Sequence, residues 1–552
     1  MNYVKYKQDI DFEFTGRTWP NKKITKAPLW CSVDLRDGNQ SLEIPMTLDQ
    51  KLAFFKFLVK VGFKEIEVGF PAASESEFQF VRMLIEQNLI PDDVVIQVLT
   101  QSREPIIRRT FESLAGVRKG VVHLYNSTSP LQRDVVFQKS KEEIKDLAVS
   151  GAVLLNELAD QYGKDRFIFE YSPESFSQTE PEYAAEVCNA VLEQWEQRSV
   201  IINLPFTVES AMPNVHADMI EYMCGALRNR ENIIVSLHAH NDRGTAVAAT
   251  ELCLLAGADR VEGTLFGNGE RTGNADIITI AMNLYSQGID PGLDFSNIDK
   301  AIEVYRKYTN LPVHPRHPYA GELVYTAFSG SHQDAIRKGM ARMKSDSDDW
   351  RVPYLPIDPK DVGRNYDPII RFNSQSGSSS AAYILETYFD IQIPKSMQRD
   401  FGPIVINESD SKSAELSPEE IHALFKATYV NIENPATLIN WKEFREGEDV
   451  SRVEGVIDWK GKEEVITGSG DGVVEAFCRG VMASAGVHFD IKHYSQHAME
   501  SGREARAITY IGISLEDGNG IAYGVGVSRN ITTSSLKAVI SAVNRSSLVD
   551  QD

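Results

Sequence analysis

The sequence has few cysteines, no long apolar run and no excess of basic residues. Its five cysteines are far apart and form no CxxC pair, which argues against a thiolate zinc site and a disulfide framework and favours the reducing cytoplasm. No apolar stretch approaches the ~20 residues that a membrane-spanning helix needs. The N-terminal segment MNYVKYKQDIDFEFTGRTWP lacks the apolar core of a signal peptide. We therefore expect a cytoplasmic protein without a membrane partner.

The charge balance argues against nucleic acid as a partner. The formal net charge is −21, whereas binding to phosphate backbones needs clustered Lys and Arg. The glycine-rich stretch GTLFGNGERTGN lacks the GK[ST] ending of a nucleotide phosphate loop. The chain has 552 residues, of which 42% are hydrophobic and 24% charged. This size and composition are typical of a folded protein with about two to four domains.

Between residues 28 and 290, short apolar runs alternate with amphipathic helical stretches. Runs such as VVIQVLT and VIINL are expected for parallel strands that are buried on both faces. Eight strand–helix units in about 260 residues predict a (β/α)₈ TIM barrel, with a doubly wound open sheet as the alternative. The predicted strands are Trp30–Asp34, Glu65–Phe70, Val94–Thr100, Val121–Tyr125, Phe167–Tyr171, Val200–Leu204, Ile233–Leu237 and Arg260–Leu265.

Three further segments accompany the predicted barrel. Residues 1–27 precede it as an extension, and the barrel itself is assigned to residues 28–310. Residues 311–428 contain stretches rich in Pro, Gly and Ser without clear periodicity, which predicts linker subdomains. Residues 429–552 repeat a pattern of strands, a turn and a helix, which favours a small α+β domain. The predicted fold class is therefore α/β, with a TIM barrel, a loop and helix linker region and a C-terminal α+β domain.

Three predicted strand ends carry candidate metal ligands, at the edge where a TIM barrel places its catalytic groups. Strand one ends in DLRDGNQ, where Asp37 offers a carboxylate and Arg36 a planar donor fork. Strand seven ends in SLHAHND, where His238 and His240 are two apart and face one side. With Asp37 they predict a site that leaves positions open for substrate. Asn274, after strand eight, is either a helix cap or a further ligand.

Other strand ends supply polar groups that would surround this metal. Strand four ends near His123, strand five in FEYSPES with Ser172 and Glu174, and strand six reaches Thr207. Each residue alone is ordinary polar lining. Together they predict a polar pocket suited to a small keto acid.

The motifs DLRDGNQ, SPES, NLPFTVE, HAHNDRG, LFGNGERTGN and SGSHQDA occur in this order and resemble those of the 2-isopropylmalate synthases. That family belongs to the metal-dependent barrels that condense or cleave acyl-CoA. The resemblance covers residues 17–552, and RTWP and YLPIDPKDVGR are similar to its long subgroup. It implies condensation of acetyl-CoA with 2-ketoisovalerate, followed by thioester hydrolysis, as the first committed step of leucine biosynthesis.

The resemblance implies that a divalent metal (magnesium, manganese or zinc) polarises the keto acid carbonyl, with Arg36 adding positive charge at the same oxygen. The implied ligands are Asp37, His238 and His240, with Asn274 close by. The residues implied to bind the keto acid are Arg36, Leu99, His123, Ser172 and Thr207. Acetyl-CoA is the implied co-substrate, and a monovalent cation is implied as an additional activator.

Proton transfer is implied to involve three further residues. Glu174 is the best candidate for removing a proton from the weakly acidic methyl group of acetyl-CoA. His332 and Tyr366 on their own look like surface residues, but they match a linker His and Tyr that approach the barrel mouth from the partner subunit of a homodimer. Which of the two transfers a proton and which activates water stays open.

Residues 429–552 resemble the leucine-binding regulatory domain of the family. Gly470, Asp471, Gly524 and Gly526 are the expected contacts of the leucine effector. Feedback inhibition across a dimer requires two coupled sites. Phe206 in NLPFTVE replaces a small Ala of the family pattern, and its effect on the shape of the pocket stays open.

Three alternatives are weighed against this interpretation. Homocitrate or citramalate synthases carry out the same reaction on another 2-keto acid, but the long linker and tail favour 2-isopropylmalate synthase. A lyase would cleave a 3-hydroxyacyl-CoA, but the effector-like domain argues against it. A non-catalytic leucine-sensing relative would be expected to lose the metal residues or the acid Glu174, and all of them are present.

Overall fold

The chain forms two compact units. The computed structural model describes residues 2, 5, 12–196, 198–327, 330–343, 349–365, 378–412, 416–445, 450–486, 488–499, 505–515 and 520–546. One unit comprises Met1–Val324 and Ile357–Asn365, and the other comprises Tyr325–Pro356 and Tyr366–Asp552. The predicted linker, 311–428, is thus divided between the two units. Among the described helices, none is both long enough and apolar enough to cross a membrane.

Eight parallel strands close into a barrel in the first unit, and β1 pairs with β8. The predicted TIM barrel is confirmed, and the open sheet is excluded. Strand β5 extends to Glu174, three residues beyond its predicted end, so this carboxyl group lies on the strand itself. The strands are β1 Leu29–Ser32, β2 Glu65–Gly69, β3 Val95–Gln101, β4 Gly120–Ser127, β5 Phe167–Glu174, β6 Val200–Phe206, β7 Ile233–Ala239 and β8 Arg260–Gly263.

The helices of this unit begin at local sequence signals. Thr47 and Ser140 form capping boxes at the starts of α1 and α4, which satisfy backbone N–H groups of the first turn. Gly62 ends α1 in the left-handed conformation that glycine tolerates. The helices are α1 Leu48–Val61, α2 Glu75–Glu86, α3 Glu104–Ser113, α4 Lys141–Tyr162, α5 Pro181–Gln194, α6 Pro213–Ala226, α7 Ala246–Ala256, α8 Ile277–Tyr285 and α9 Ile298–Thr309.

The second unit contains two three-stranded antiparallel sheets, each followed by a helix. This repetition confirms the predicted α+β pattern. The first sheet has the order β11-β10-β9 and the second β12-β13-β14. The strands are β9 Ala436–Arg445, β10 Ser451–Trp459, β11 Lys462–Gly470, β12 Phe489–Ala498, β13 Ala507–Leu515 and β14 Ile521–Ser528. The helices are α10 Gly330–Met340, α11 Ser378–Phe389, α12 Lys395–Lys412, α13 Pro418–Tyr429, α14 Val473–Ala485 and α15 Ile531–Asn544.

A shared hydrophobic core explains why α11 to α13 belong to this unit. Leu385, Phe401 and Phe425 of these helices are buried in one cluster with Tyr510 and Val525 of the second sheet. A separate cluster is formed by α14 and α15 with residues of both sheets. Part of the predicted linker therefore folds together with the C-terminal segment.

Two glycines of β14 allow α15 to approach the second sheet closely. A Cβ atom on Gly524 would lie 2.1 Å from the amide nitrogen of Ala542. A Cβ atom on Gly526 would lie 1.8 Å from the carbonyl oxygen of Ser534. Since backbone atoms cannot move away as a flexible side chain can, both positions require glycine for packing.

Gly526→Ala is expected to lower the free energy of unfolding of the second unit by about 1–3 kcal/mol, because α15 must shift to make room for the methyl group. Urea denaturation followed by tryptophan fluorescence measures the change. Gly472→Ala is the matched control, since its φ of 170° suits any residue and its Cβ would meet no atom within 4 Å. Equal stability of the two variants would contradict the packing role.

Candidate active site

The carboxyl ends of the barrel strands surround a cavity of about 330 Å³. Most of the residues selected from the sequence lie together in its wall. Those that line it are Arg36, Asp37, Leu99, His123, Ser172, Glu174, Thr207, His238 and His240. The residues chosen at the predicted strand ends therefore identify this cavity as the candidate site.

Asp37, His238 and His240 converge at the base of this cavity. The Nε2 atoms of His238 and His240 lie 3.7 and 3.8 Å from Oδ2 of Asp37. Asn274 donates a hydrogen bond from Nδ2 to the same oxygen at 2.7 Å. Within the described part of the chain, Oδ1 of Asn274 and Nδ1 of His240 are buried without a hydrogen-bond partner. Imidazole nitrogens and oxygens at this spacing fit a divalent cation.

The local backbone explains this convergence. A π-helical turn, Asp34–Gly38, follows β1 and places Arg36 and Asp37 in the cavity wall. His238 and His240 flank Ala239, which is buried on the other side of the chain. The backbone of His240 pairs with that of Asn274 across the end of the barrel.

The glycine-rich turn after β8 makes room for the Asn274 amide. Gly267 and Gly273 adopt positive φ angles of 72° and 98°. A Cβ atom on Gly269 would lie 2.3 Å from the Nδ2 atom of Asn274. Glycine at these positions therefore permits Asn274 to reach Asp37.

The charges of the cluster are strongly coupled. Burial opposes ionisation of Asp37, but the charge of Arg36 and a hydrogen bond with His238 hold its pKa well below the usual range. Burial also opposes charge on His238, but Asp37 and Glu262 raise its pKa to about 9. Burial and the charge of His238 lower the pKa of His240 to about 4. In the metal-free protein at neutral pH, these pKa shifts favour a cationic His238 and a neutral His240, and a bound cation would displace the additional proton of His238.

A buried polar layer below the metal cluster was not predicted from the sequence. Glu262 on β8 accepts a hydrogen bond from Nδ1 of His238 at 2.8 Å. Its other oxygen accepts hydrogen bonds from Gln97 at 2.8 Å and Arg260 at 2.9 Å. Carboxylates that bind the second nitrogen of a metal-binding His fix the tautomer and the orientation of the ring. Glu262 therefore directs Nε2 of His238 towards Asp37.

The same layer orients His123. Its Nδ1 lies 3.0 Å from a carboxylate oxygen of Glu67, and its Nε2 lies 2.6 Å from Oγ of Ser172. Glu170 is also buried here, and burial together with the charge of Glu262 raises the pKa of Glu170 well above its usual range. This shift favours the neutral form of Glu170, which limits the negative charge inside the barrel.

His123, Glu170 and Glu262 also have ligand atoms at metal-like spacing. The guanidinium of Arg260 lies 3.5 Å from Glu170 and 2.9 Å from Glu262. Since the guanidinium of Arg260 already pairs with both carboxyl groups, the group is an internal ion-pair layer rather than a second metal site. The sequence signal was present: EIEVG and RVEG place single charges at alternate positions of apolar strands, which indicates an inward-facing polar layer.

The apolar wall of the cavity includes Leu99, Tyr125 and Pro205. Phe206 does not contribute, because its ring stacks on His216 of α6 with centroids 4.1 Å apart. Side chains alternate along β6, so Pro205 faces the cavity and Phe206 faces away from it.

Of the two predicted linker residues, the structure describes His332. His332 lies on α10 in the second unit, where its exposed ring stacks on Tyr354 at 4.0 Å. Tyr366 lies outside the described residues. Their action at the barrel mouth stays a prediction.

A second cavity, of about 290 Å³, lies in the second unit where α14 and α15 begin. Of the four expected effector contacts, Asp471 lines it, and Gly470 precedes Asp471 at the end of β11. Gly524 and Gly526 pack against α15 instead. The lining residues are Asp471, Gly472, Val473, Val474, Glu475, Tyr494, Ile531, Thr532 and Ser535.

Comparison with known proteins gives matches over nearly the whole chain. The family model described as HMGL-like matches residues 27–304. The model of the alpha-isopropylmalate synthase post-catalytic domain matches residues 322–386, and that of the LeuA allosteric (dimerisation) domain matches residues 415–547.

Curated relatives match over their full length. The 2-isopropylmalate synthase of Acetoanaerobium sticklandii is 56% identical, with 100% of this chain and 98% of the relative covered. That of Clostridium acetobutylicum is 51% identical over 99% of this chain and 100% of the relative. That of Pseudomonas putida is 51% identical over 98% and 97%. From the barrel to the last helix, the chain belongs to the 2-isopropylmalate synthase family.

Proposed function

We propose that this chain condenses acetyl-CoA with 2-ketoisovalerate and hydrolyses the resulting thioester to 2-isopropylmalate, in the cytoplasm. The observation that carries the proposal is the single cavity that combines the Asp37, His238 and His240 cluster with Arg36 and Glu174. Membership of a metal-dependent family of this name supports the same reaction. All five cysteines lie in the described part of the chain as free thiols, in keeping with a reducing compartment.

The metal site consists of Asp37, His238 and His240, with Asn274 supplying its amide oxygen. A divalent cation bound there (magnesium, manganese or zinc) would act as a Lewis acid on the keto acid carbonyl. Arg36 adds a second positive charge, since its guanidinium is held by Asp37 at 2.8 Å and by Glu67 while it lines the cavity. Electron density that develops on the carbonyl oxygen is thereby stabilised. A monovalent cation as a further activator stays part of the proposal.

The remaining wall binds the keto acid by its two ends. The hydroxyl groups of Ser172 and Thr207 offer hydrogen bonds to the carboxylate, and His123 orients the Ser172 hydroxyl through Nε2. Leu99 and Tyr125 provide apolar contacts for the isopropyl group. Because Glu67 fixes His123 from behind, the pocket is preorganised before the substrate arrives.

Glu174 is the proposed base. It lines the cavity at the end of β5 and accepts a hydrogen bond from Ser127, which holds its carboxylate in place. It takes a proton from the methyl group of acetyl-CoA, and the resulting carbanion attacks the keto carbon. Water then attacks the thioester carbonyl, and the CoA thiolate leaves and is protonated. His332 and Tyr366, supplied by a partner subunit in a homodimer, are the proposed participants in this second half.

The second cavity is the proposed leucine site. The N-termini of α14 and α15 favour a carboxylate, while Asp471 and Glu475 favour an ammonium group. Val474 and Ile531 supply apolar contacts for an aliphatic side chain. An amino acid with an aliphatic side chain fits this combination of charges and apolar surface.

The purified protein with a divalent metal should release CoA thiol fastest with 2-ketoisovalerate. Pyruvate should be slower by at least about tenfold in kcat/KM, because it lacks the methyl groups that fill the apolar wall. A panel of 2-keto acids monitored with a thiol reagent measures this preference, and addition of a chelator serves as the control. Preference for pyruvate or 2-ketoglutarate would contradict the substrate, and no release with any keto acid would contradict the reaction.

Ile531→Ala is expected to raise the leucine concentration for half-maximal inhibition by about tenfold, because an aliphatic contact in the cavity is lost. The turnover rate without leucine should not change. Val465→Ala is the matched control, since Val465 is an exposed aliphatic residue of the same unit that does not line the cavity. Unaltered inhibition of the Ile531 variant would refute this leucine site.

A further inference from the structure

Three loops of the barrel meet beside Thr207, and one side chain connects them. Arg271, in the loop after β8, donates from Nε to Oδ1 of Asp242 at 2.7 Å and from Nη2 to Oδ2 at 3.0 Å. Asp242 lies in the loop after β7. Nη2 of Arg271 also donates to the backbone carbonyl of Thr207, in the loop after β6. The planar guanidinium thus binds a carboxylate on one side and the backbone of a cavity residue on the other.

The backbone of Arg271 is held in an unfavourable conformation. Its φ angle is +55°, in the left-handed region that residues other than glycine rarely adopt. The same turn has glycine at three other positions, whereas position 271 has an arginine in a backbone conformation that suits glycine. An arginine at a position that suits glycine indicates that its side chain contributes something the loop requires.

Asp242 is connected to the chain that follows Thr207. Its Oδ2 accepts a hydrogen bond from the amide of Glu209 at 3.0 Å. The Glu209 carboxylate is buried and accepts hydrogen bonds from the amide of Arg243 at 2.6 Å and from the hydroxyl of Thr245. The segment around Thr207 is therefore held at its own carbonyl and again two residues later.

The Thr207 hydroxyl is oriented by the strand that carries the proposed base. Its Oγ1 accepts a hydrogen bond from the backbone amide of Ser175 at 2.9 Å, next to Glu174. A hydroxyl that already accepts a hydrogen bond from the protein can turn its own proton to a ligand. Since Thr207 lines the cavity, that proton is available to a bound carboxylate.

We infer that the Asp242–Arg271 ion pair is a clamp that positions Thr207 to bind the carboxylate of the keto acid. This inference rests on the proposed function, because it assigns the clamp to the keto acid part of the same site. Arg271 also lines the cavity, but its Nε and Nη2 groups are engaged by Asp242 and Thr207, so we assign it as a positioning residue that acts on the substrate through the Thr207 backbone. Loss of the clamp should weaken keto acid binding and leave acetyl-CoA binding unchanged.

Arg271→Gln is expected to raise the KM for 2-ketoisovalerate about tenfold, as for the loss of one well-placed hydrogen bond to a charged group. The KM for acetyl-CoA should stay within about twofold. Arg230→Gln is the matched control: Arg230 pairs with Asp259 at 2.6 Å and donates to the carbonyl of Ile233, but at the opposite end of β7. It should leave both KM values unchanged.

A double-mutant cycle separates positioning from a general structural effect. In a Thr207→Val background, Arg271→Gln should change the keto acid KM by less than about twofold, because the hydroxyl that it positions is gone. Effects that add independently would overturn the clamp. A rise in the acetyl-CoA KM alone would also overturn it and would make Arg271 a contact of the CoA moiety.

Two further variants keep the test decisive if Arg271→Gln folds poorly. Arg271→Gly suits a φ of +55° but removes the guanidinium, and it should raise the keto acid KM as much as Arg271→Gln. A normal KM would contradict the clamp. Asp242→Asn should have the same effect as either. If the wild type prefers another 2-keto acid, the proposed substrate is wrong, and the same variants then test the clamp with that acid. A wild type without any activity would overturn the proposed function and the clamp together.

Discussion

The charge balance inside the barrel is the constraint on which the site depends. Arg260 is fully buried, and its guanidinium contacts Glu65, Glu262 and Gln97 at 2.6 to 2.9 Å. A buried ion without partners costs several kcal/mol, so each member of this layer requires the others. Removal of one carboxylate would leave a guanidinium uncompensated. The raised pKa of Glu170 favours its neutral form, which limits the negative charge of the layer.

Carboxylates of this buried layer, which lie on the barrel strands, orient the side chains of the cavity. Glu262 holds His238, and Glu67 holds both His123 and Arg36. His238, His123 and Arg36 are thus each supported by a buried carboxylate of a barrel strand. The site is rigid at its base because the strands are rigid, and the loops add the remaining contacts. Preorganised groups of this kind need no rearrangement when charge develops on the substrate.

The sequence was sufficient for the barrel and for the metal cluster, because both depend on local spacing. Two histidines two residues apart at a strand end must face the same way, and Asp37 lies in the turn after β1, which only β8 separates from β7. The polar layer is different, since its partners are far apart along the chain: Gln97 and Arg260 are separated by 163 residues. Without knowledge of which strands are neighbours, a glutamate in an apolar strand is equally consistent with the exposed edge of a sheet. The sequence therefore did not predict the polar layer.

Other differences also have a physical reason. Phe206 and Pro205 are neighbours in sequence, but their side chains point to opposite sides of β6. A departure from the family pattern does not show which of the two side chains points into the cavity. Gly524 and Gly526 lie in β14, and their role as effector contacts stays a prediction. The structure adds a constraint that no local pattern displays: the backbone of α15 leaves no room for a side chain at either position.

Calorimetric titration of the metal-depleted protein with Mn²⁺ tests the central claim most directly. We expect Glu262→Gln to bind the cation about 10–100-fold more weakly than the wild type, because His238 loses the carboxylate that orients it. His238→Ala should show no specific binding, and circular dichroism should confirm that both variants are folded. Wild-type affinity in a folded Glu262→Gln variant would contradict the claim that the buried layer builds the metal site.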